Sequence, residues 1–329
     1  MYRRKRQRIY KSLILSLLIV TLIVTGIVFY LKQNTVSITD YETENYSIPF
    51  YEEALLLDNI CVTSENVESD YVTIHDELHA AGLFRLDTAE VEYAENVHEK
   101  LYPASTTKLL TAYIALKYGN LEDTITVSNE AVGVPLDSSR AGLIAGDKLT
   151  LKDLLYGLML PSGNDSAVAI AEYISGSEKE FAALMNEEAR KLGATNSNFV
   201  NAHGYHDDNH YTTAYDLYLI LKECVKNDTF LEIVSSKQYT LKIEQKNGTY
   251  RNVTWRQTNQ FVTGLRNEPN GIHVIGGKTG TTDQAGSCLI MYSETDAHPY
   301  ISVVMGANNK AKLYDNMTYL ISGAVQSEN

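Results

Sequence analysis

The stretch "PASTTKLLTAYIAL", residues 103–116, sets a serine, Ser105, three positions before a lysine, Lys108, at the start of an otherwise apolar run. The run reads as a helix beginning at Ser105. Positions three apart share a helix face, so the Lys108 amine falls within reach of the Ser105 hydroxyl. A serine hydroxyl is a weak nucleophile until a base takes its proton, and a lysine is such a base only where burial or another cation lowers its pKa. An apolar helix supplies the burial, and the backbone N–H groups at its start supply a positive field where an oxyanion would form.

Two further stretches extend the pattern. "LPSGNDSA" carries Ser162 and Asn164, and "GGKTGTT" carries Lys278, Thr279, Gly280 and Thr281 just before an apolar strand. Separately, Ser162 and Asn164 read as turn residues after Pro161, and Lys278-Thr279-Gly280 as a turn leading into a strand. Together, in the order S-x-x-K, S-x-N, K-T-G with gaps of 57 and 116 residues, they form a specific set. A hydrolytic zinc site is the competing chemistry, since "HGYHDDNH" groups His203, His206 and His210 with Asp207 and Asp208. Gly204 argues for a turn there, and no metal is expected. His273 and His298 have no partners in sequence and read as loop residues.

These residues need a scaffold. "AAGLFRLDTAEVEYAEN" reads as a hairpin around Asp87-Thr88, and Gly119 closes the helix that holds Lys108. Thr150 with Asp153 makes a capping box for a helix stopped by Pro161, and Thr213 with Asp216 makes another. Helices are expected over 165–175 and 177–192, the latter ended by Gly193. Two apolar strands, "GSCLIMYS" and "YISVVMGAN", precede a C-terminal amphipathic helix. Strands at both ends around a helical insertion imply an α+β fold.

The first eleven residues hold six Lys/Arg, and residues 12–31 are uncharged and long enough to cross a bilayer. "GIVFYLKQNTV" is a poor signal-peptide cleavage site, so a retained anchor is expected, with the N-terminus cytoplasmic and the rest of the chain outside. The expected organisation is a basic segment over 1–11, a transmembrane helix over 12–31, a polar linker over 32–58 and a folded domain over 59–329. Of the 28 basic residues seven lie in the first 32, which leaves 21 against 41 acids and a formal charge of −20 beyond the anchor. Such a surface repels phosphate backbones and excludes nucleic acid as a partner. Cys61, Cys224 and Cys288 are too few for a disulfide framework and read as free, mostly buried thiols, with Cys61–Cys224 the one bridge left open.

The three motifs resemble those of the penicillin-recognising serine hydrolases, and within them those of the low-molecular-mass penicillin-binding proteins that act as D-alanyl-D-alanine carboxypeptidases. The likeness runs from about Ala80 to the C-terminal helix. It includes "GLIAGDKLTLKDLLYGLMLPSGNDSAVAIAEYISGS" and "LGATNSNFVNAHGYHDDNHYTTAYDLYLI". Class A β-lactamases share the motifs but usually have Asp where Gly163 stands. The resemblance implies an antiparallel sheet flanked by helices, a mostly helical subdomain, one cleft and no cofactor. It implies Ser105 as nucleophile, Lys108 as its base, and Ser162 as proton relay tuned by Lys278. Asn164 would hold Lys108 and the peptide amide; Lys278 and Thr279 would receive the terminal carboxylate; the Ser105 and Thr281 amides would form the oxyanion hole beside Gly280. The implied partners are a peptidoglycan stem peptide ending in D-Ala-D-Ala, β-lactams as inhibitors, and the lipid bilayer through the N-terminal helix. Relatives often carry a further β-rich domain and a C-terminal amphipathic tail; this chain stops some fifty residues after Lys278, which leaves room for endopeptidase activity on cross-links. The rival readings are a β-lactamase and a penicillin-sensing or wall-binding protein with little turnover.

Overall fold

The computed structural model describes residues 60–74 and 78–327, together with position 25. The chain divides between Asp58 and Asn59, and the described fold belongs to the second unit. Apart from position 25, the expected basic segment, membrane span and linker lie outside the described residues. Among the described residues no helix is long and apolar enough to cross a membrane.

Five antiparallel strands form the main sheet in the order β2-β1-β9-β8-β7, with β1 Ala80–Arg85, β2 Glu90–Glu95, β7 His273–Thr282, β8 Gly286–Glu294 and β9 Pro299–Ala307. The expected hairpin is β1–β2, so the sheet joins the two ends of the folded unit around a helical insertion. β8 and β9 are central and almost wholly buried, which is why their sequences run apolar without alternating. One face packs on the C-terminal helix through Leu313, Tyr314, Met317, Leu320 and Ile321. The other packs on helices of the insertion, where Phe84 stacks on Tyr218 with ring centroids 4.3 Å apart. Each such fully buried side chain contributes roughly 1.5–3 kcal/mol.

The insertion contains helices α1 Lys108–Tyr118, α2 Leu151–Met159, α3 Asn164–Ser175, α4 Glu178–Lys191, α5 Ala214–Cys224 and α6 Asp228–Ser235, and the C-terminal helix is α7 Lys310–Ser327. The Thr150–Asp153 capping box is complete. Thr213 caps α5 by accepting from the Asp216 amide, and the Asp216 carboxylate also accepts from the Asn196 amide and the Ser197 hydroxyl.

Three expectations need correction. The insertion also carries a four-stranded antiparallel sheet, β3-β4-β5-β6, made of β3 Thr124–Thr126, β4 Lys148–Thr150, β5 Gln238–Glu244 and β6 Tyr250–Arg256. Two of these strands are three residues long, too short for a period-2 signal. The helix expected from Ser105 starts instead at Lys108, after a 3₁₀ turn over Ala104–Thr107. There Ala104 is left-handed at φ 47°, and the Thr106 and Thr107 hydroxyls donate back to the Pro103 and Ala104 carbonyls. His273, expected in a loop, opens strand β7, whereas His298 does lie in a loop, where it reaches Asp87 at 2.7 Å. All three cysteines are free and buried; Cys61 points its thiol at the Arg85 carbonyl and Cys224 at the Leu109 carbonyl, so the Cys61–Cys224 bridge does not form.

Two left-handed glycines separate torsional strain from lack of space. Gly176, φ 79°, has nothing within 4 Å of an added Cβ, whereas at Gly204, φ 82°, that atom would sit 1.8 Å from the Ala104 carbonyl oxygen. Gly176→Ala is expected to cost about 1 kcal/mol and Gly204→Ala on the order of 3 kcal/mol or more, read as denaturant midpoints of the two variants.

Candidate active site

Three segments far apart in sequence converge. The 3₁₀ turn projects Ser105, α1 contributes Lys108 from its first residue, the α2–α3 corner contributes Ser162 and Asn164, and β7 contributes Lys278, Thr279, Gly280 and Thr281. Gly280 permits the contact between turn and strand: a Cβ there would lie 2.9 Å from the Ser105 amide nitrogen and 3.0 Å from the Pro103 carbonyl oxygen. Ser162 is left-handed at φ 63°. Non-glycine residues held there cost roughly 1–3 kcal/mol each, so both Ala104, beside the serine, and Ser162 are kept strained by their surroundings.

The Lys108 amine is the hub. It lies 2.9 Å from Ser105 Oγ, 2.8 Å from Asn164 Oδ1 and 2.7 Å from the His203 carbonyl oxygen, and the residue is 0% exposed. Burial, reinforced by the positive charge of Lys278 and opposed by Asp165, holds its pKa well below the ordinary lysine value. The Lys278 amine donates to Ser162 Oγ and to the Thr279 carbonyl oxygen, each at 2.9 Å. Burial lowers its pKa to about 7.

A neutral amine has two N–H groups and one lone pair. Asn164 Oδ1 and the His203 carbonyl can only accept, so they take both N–H groups and leave the lone pair for the Ser105 O–H. Once the proton is transferred, the third N–H is donated back to the serine oxygen. The same positions therefore serve both protonation states, the condition for a base that need not move.

Sequence reasoning missed the groups that hold this cluster. The Asp165 carboxylate accepts from the Ala141, Gly142 and Leu143 amides at 2.8, 2.9 and 3.0 Å, and the Asn164 amide donates to the Ser139 carbonyl. Thr258 and Thr279 hydroxyls meet at 2.7 Å. Two of the three suspected zinc histidines, His203 and His210, are held by protein partners. His203 Nδ1 accepts from the Tyr205 amide and Nε2 faces Glu178, while burial, with Lys108 nearby, lowers its pKa to about 3. His210 Nδ1 accepts from the Val200 amide and Nε2 faces the Thr107 hydroxyl, with burial lowering its pKa to about 4. Among the described residues no group of three His, Cys, Asp or Glu side chains is arranged to hold a metal.

Comparison with known proteins gives this geometry its relatives. The model of the D-alanyl-D-alanine carboxypeptidase family matches residues 73–309. The chain belongs to this family. It is 32% identical over 251 residues to the D-alanyl-D-alanine carboxypeptidase DacF of Bacillus subtilis, covering 75% of this chain and 62% of that one. It is 36% identical over 233 residues to the D-alanyl-D-alanine carboxypeptidase of Streptomyces sp. strain K15, covering 68% of this chain and 78% of that one. The crystal structure of the Streptomyces K15 DD-transpeptidase superposes with a TM-score of 0.71 at 30% identity, covering 79% of this chain and all of that one. Penicillin-binding protein 6B of Escherichia coli superposes with a TM-score of 0.67 at 30% identity, covering 79% of this chain and 81% of that one. The chain thus spans less than two thirds of the Bacillus family member and all of the Streptomyces structure.

In this member of the family, the depressed Lys278 pKa makes stability depend on pH. Below about 7 the folded form carries the desolvated ammonium, and between about 7 and the ordinary 10.5 only the unfolded form is protonated, so stability rises with pH in that window. Replacing Lys278 by Met is expected to flatten the rise, measured as denaturant midpoints at about pH 7 and 9.5.

Proposed function

We propose that this chain is a serine D-alanyl-D-alanine carboxypeptidase, anchored in the membrane through residues 12–31 with residues 59–329 as its extracytoplasmic catalytic domain. It would remove the terminal D-Ala from peptidoglycan stem peptides and be acylated by β-lactams. One observation carries the reading: a buried Lys108 amine, 2.9 Å from Ser105 Oγ, with both N–H groups taken by obligate acceptors.

Ser105 Oγ attacks the carbonyl between the two D-alanines as its proton passes to Lys108. The Ser105 and Thr281 amides stabilise the tetrahedral oxyanion. Collapse breaks the C–N bond, and the proton taken from Ser105 ends on the departing amine, relayed by Ser162. The Lys278 charge beside Ser162 and the Thr279 hydroxyl bind the terminal carboxylate, while the Asn164 side chain, besides fixing Lys108, faces the peptide amide. Water then hydrolyses the Ser105 ester and frees the shortened stem peptide. Every step uses groups of this chain, and none calls for a cofactor.

The test uses the full chain in detergent, a labelled penicillin and a peptide ending in D-Ala-D-Ala, following protein mass and D-alanine release. A long-lived adduct on Ser105 with D-alanine release is the expected result. Rapid loss of the adduct without release would instead identify a β-lactamase, and a stable adduct without release a penicillin sensor. Ser105→Ala is expected to abolish the adduct, and Lys108→Ala to leave a folded protein acylated about 10²–10⁴-fold more slowly, the usual worth of a positioned base.

Lys278 sets the alkaline side of the pH profile. Because kcat/KM reports the free enzyme, it is expected to fall above about pH 7 as the ammonium that binds the carboxylate is lost. The limb in kcat should lie higher, since a bound carboxylate holds the proton on Lys278, and Lys278→Arg should remove the limb from both profiles.

A further inference from the structure

Strand β7 is an edge strand of the main sheet and passes beside Ser105. Positions 276, 278 and 280 alternate onto the same face, the one turned toward the insertion. Gly280 meets the Ser105 amide, and Lys278, two residues back along the strand, meets Ser162. With the scissile carbonyl at Ser105 and the terminal carboxylate at Lys278 and Thr279, the peptide runs antiparallel to β7 and its C-terminus points toward Gly276. A second peptide attached on the leaving-group side would have to continue along the edge past Gly276, at about 3.3–3.6 Å per residue.

That edge is occupied. At Gly276, the next position on the Lys278 face, a Cβ would lie 2.5 Å from the Val234 carbonyl oxygen, so the end of α6 rests directly on the strand. The buried Gln257 side chain donates from Nε2 to that same carbonyl at 3.1 Å. The next residue, Thr258, bonds the Thr279 hydroxyl, whose strand position belongs to the opposite face, and its carbonyl accepts from Tyr314, part of the core under that face. Residues 257–258 therefore cross the β7 edge from one face to the other, directly beyond the carboxylate-binding residues.

We propose that this Val234–Gln257–Thr258 barrier restricts the leaving group to a single residue with a free carboxylate. The enzyme then cuts D-Ala-D-Ala termini and leaves cross-links intact, because in a cross-link the departing amine belongs to a second peptide. The proposal rests on the carboxypeptidase reading above. It runs against the alternative of endopeptidase activity on cross-links, and it makes Gln257 a specificity-determining residue. The Gln257 side chain bonds the Val234 carbonyl and the Thr258 amide.

The test compares, with the full chain in detergent, a pentapeptide ending in D-Ala-D-Ala and a cross-linked dimer in which the D-Ala carbonyl is joined to a side-chain amine of a second peptide. The wild type is expected to cleave the dimer with kcat/KM at least about 100-fold below that for the pentapeptide. Gln257→Ala is expected to raise the dimer-to-pentapeptide ratio at least ten-fold while penicillin acylation of Ser105 persists, which certifies a folded site. Comparable wild-type rates on the two substrates would overturn the barrier and leave the carboxypeptidase reading standing. An unchanged ratio in an acylated Gln257→Ala would also overturn it. No D-alanine release from the pentapeptide and no splitting of the dimer would overturn the reading beneath it as well. Should Gln257→Ala fail to fold, the shorter Gln257→Asn takes its place in the same comparison.

Discussion

A lysine with no solvent exposure must find protein partners for its amine and must lose much of its basicity, and both consequences shape the structure around Lys108. Its partners come from three places: Ser105 one turn earlier, Asn164 at the start of α3, and the His203 carbonyl in the loop before α5. Each is then held by something further out. Asn164 is tied through its amide to Ser139, in a loop drawn together by Asp165. His203 precedes a glycine whose missing side chain leaves room for the Ala104 carbonyl. The second sheet joins the same network, since Trp255 donates to the Ala141 carbonyl and Arg251 to the Gly142 carbonyl. A base that must be buried has thus recruited much of the insertion as its support.

The strained residues follow from the same constraint. Ala104 and Ser162 adopt left-handed backbone conformations that their side chains disfavour, and both adjoin the groups that must converge. The surrounding hydrogen bonds hold them there: the Thr107 hydroxyl, itself against buried His210, bonds the Ala104 carbonyl, and the Lys278 amine bonds Ser162. His203 and His210 resemble metal ligands only in sequence. Folding points their rings at backbone amides, a carboxylate and a hydroxyl, and burial keeps them neutral.

What the sequence revealed follows what is local. The S-x-x-K spacing, the Thr150 box and the β1–β2 hairpin each depend on neighbours within a few residues, and each was legible. The start of α1 was misplaced because Thr106 and Thr107 satisfy backbone carbonyls in a way that tightens the turn, which the apolar pattern of residues 109–116 does not record. The second sheet was missed because β3 and β4 gain stability from pairing, with Leu149 against Ile125, rather than from a strand pattern of their own. Asp165 was hidden for another reason. It stands beside Asn164 in a motif whose other members already had roles, and its work lies 22–24 residues back, in a loop with no strong pattern.

The two site lysines divide their work by environment. On the proposed mechanism Lys108 must be neutral to take a proton from Ser105, and Lys278 must be charged to receive a carboxylate. Had the Lys278 charge been the main cause of the depressed Lys108 pKa, the arrangement would defeat itself, because an arriving carboxylate would neutralise that charge and let Lys108 take up a proton. Burial is the larger cause at Lys108 and the Lys278 charge the smaller. A bound peptide excludes more water from the cleft and so strengthens the larger cause as it weakens the smaller. Burial rather than repulsion is therefore what would let the same cleft bind an anion at one lysine and keep a free base at the other.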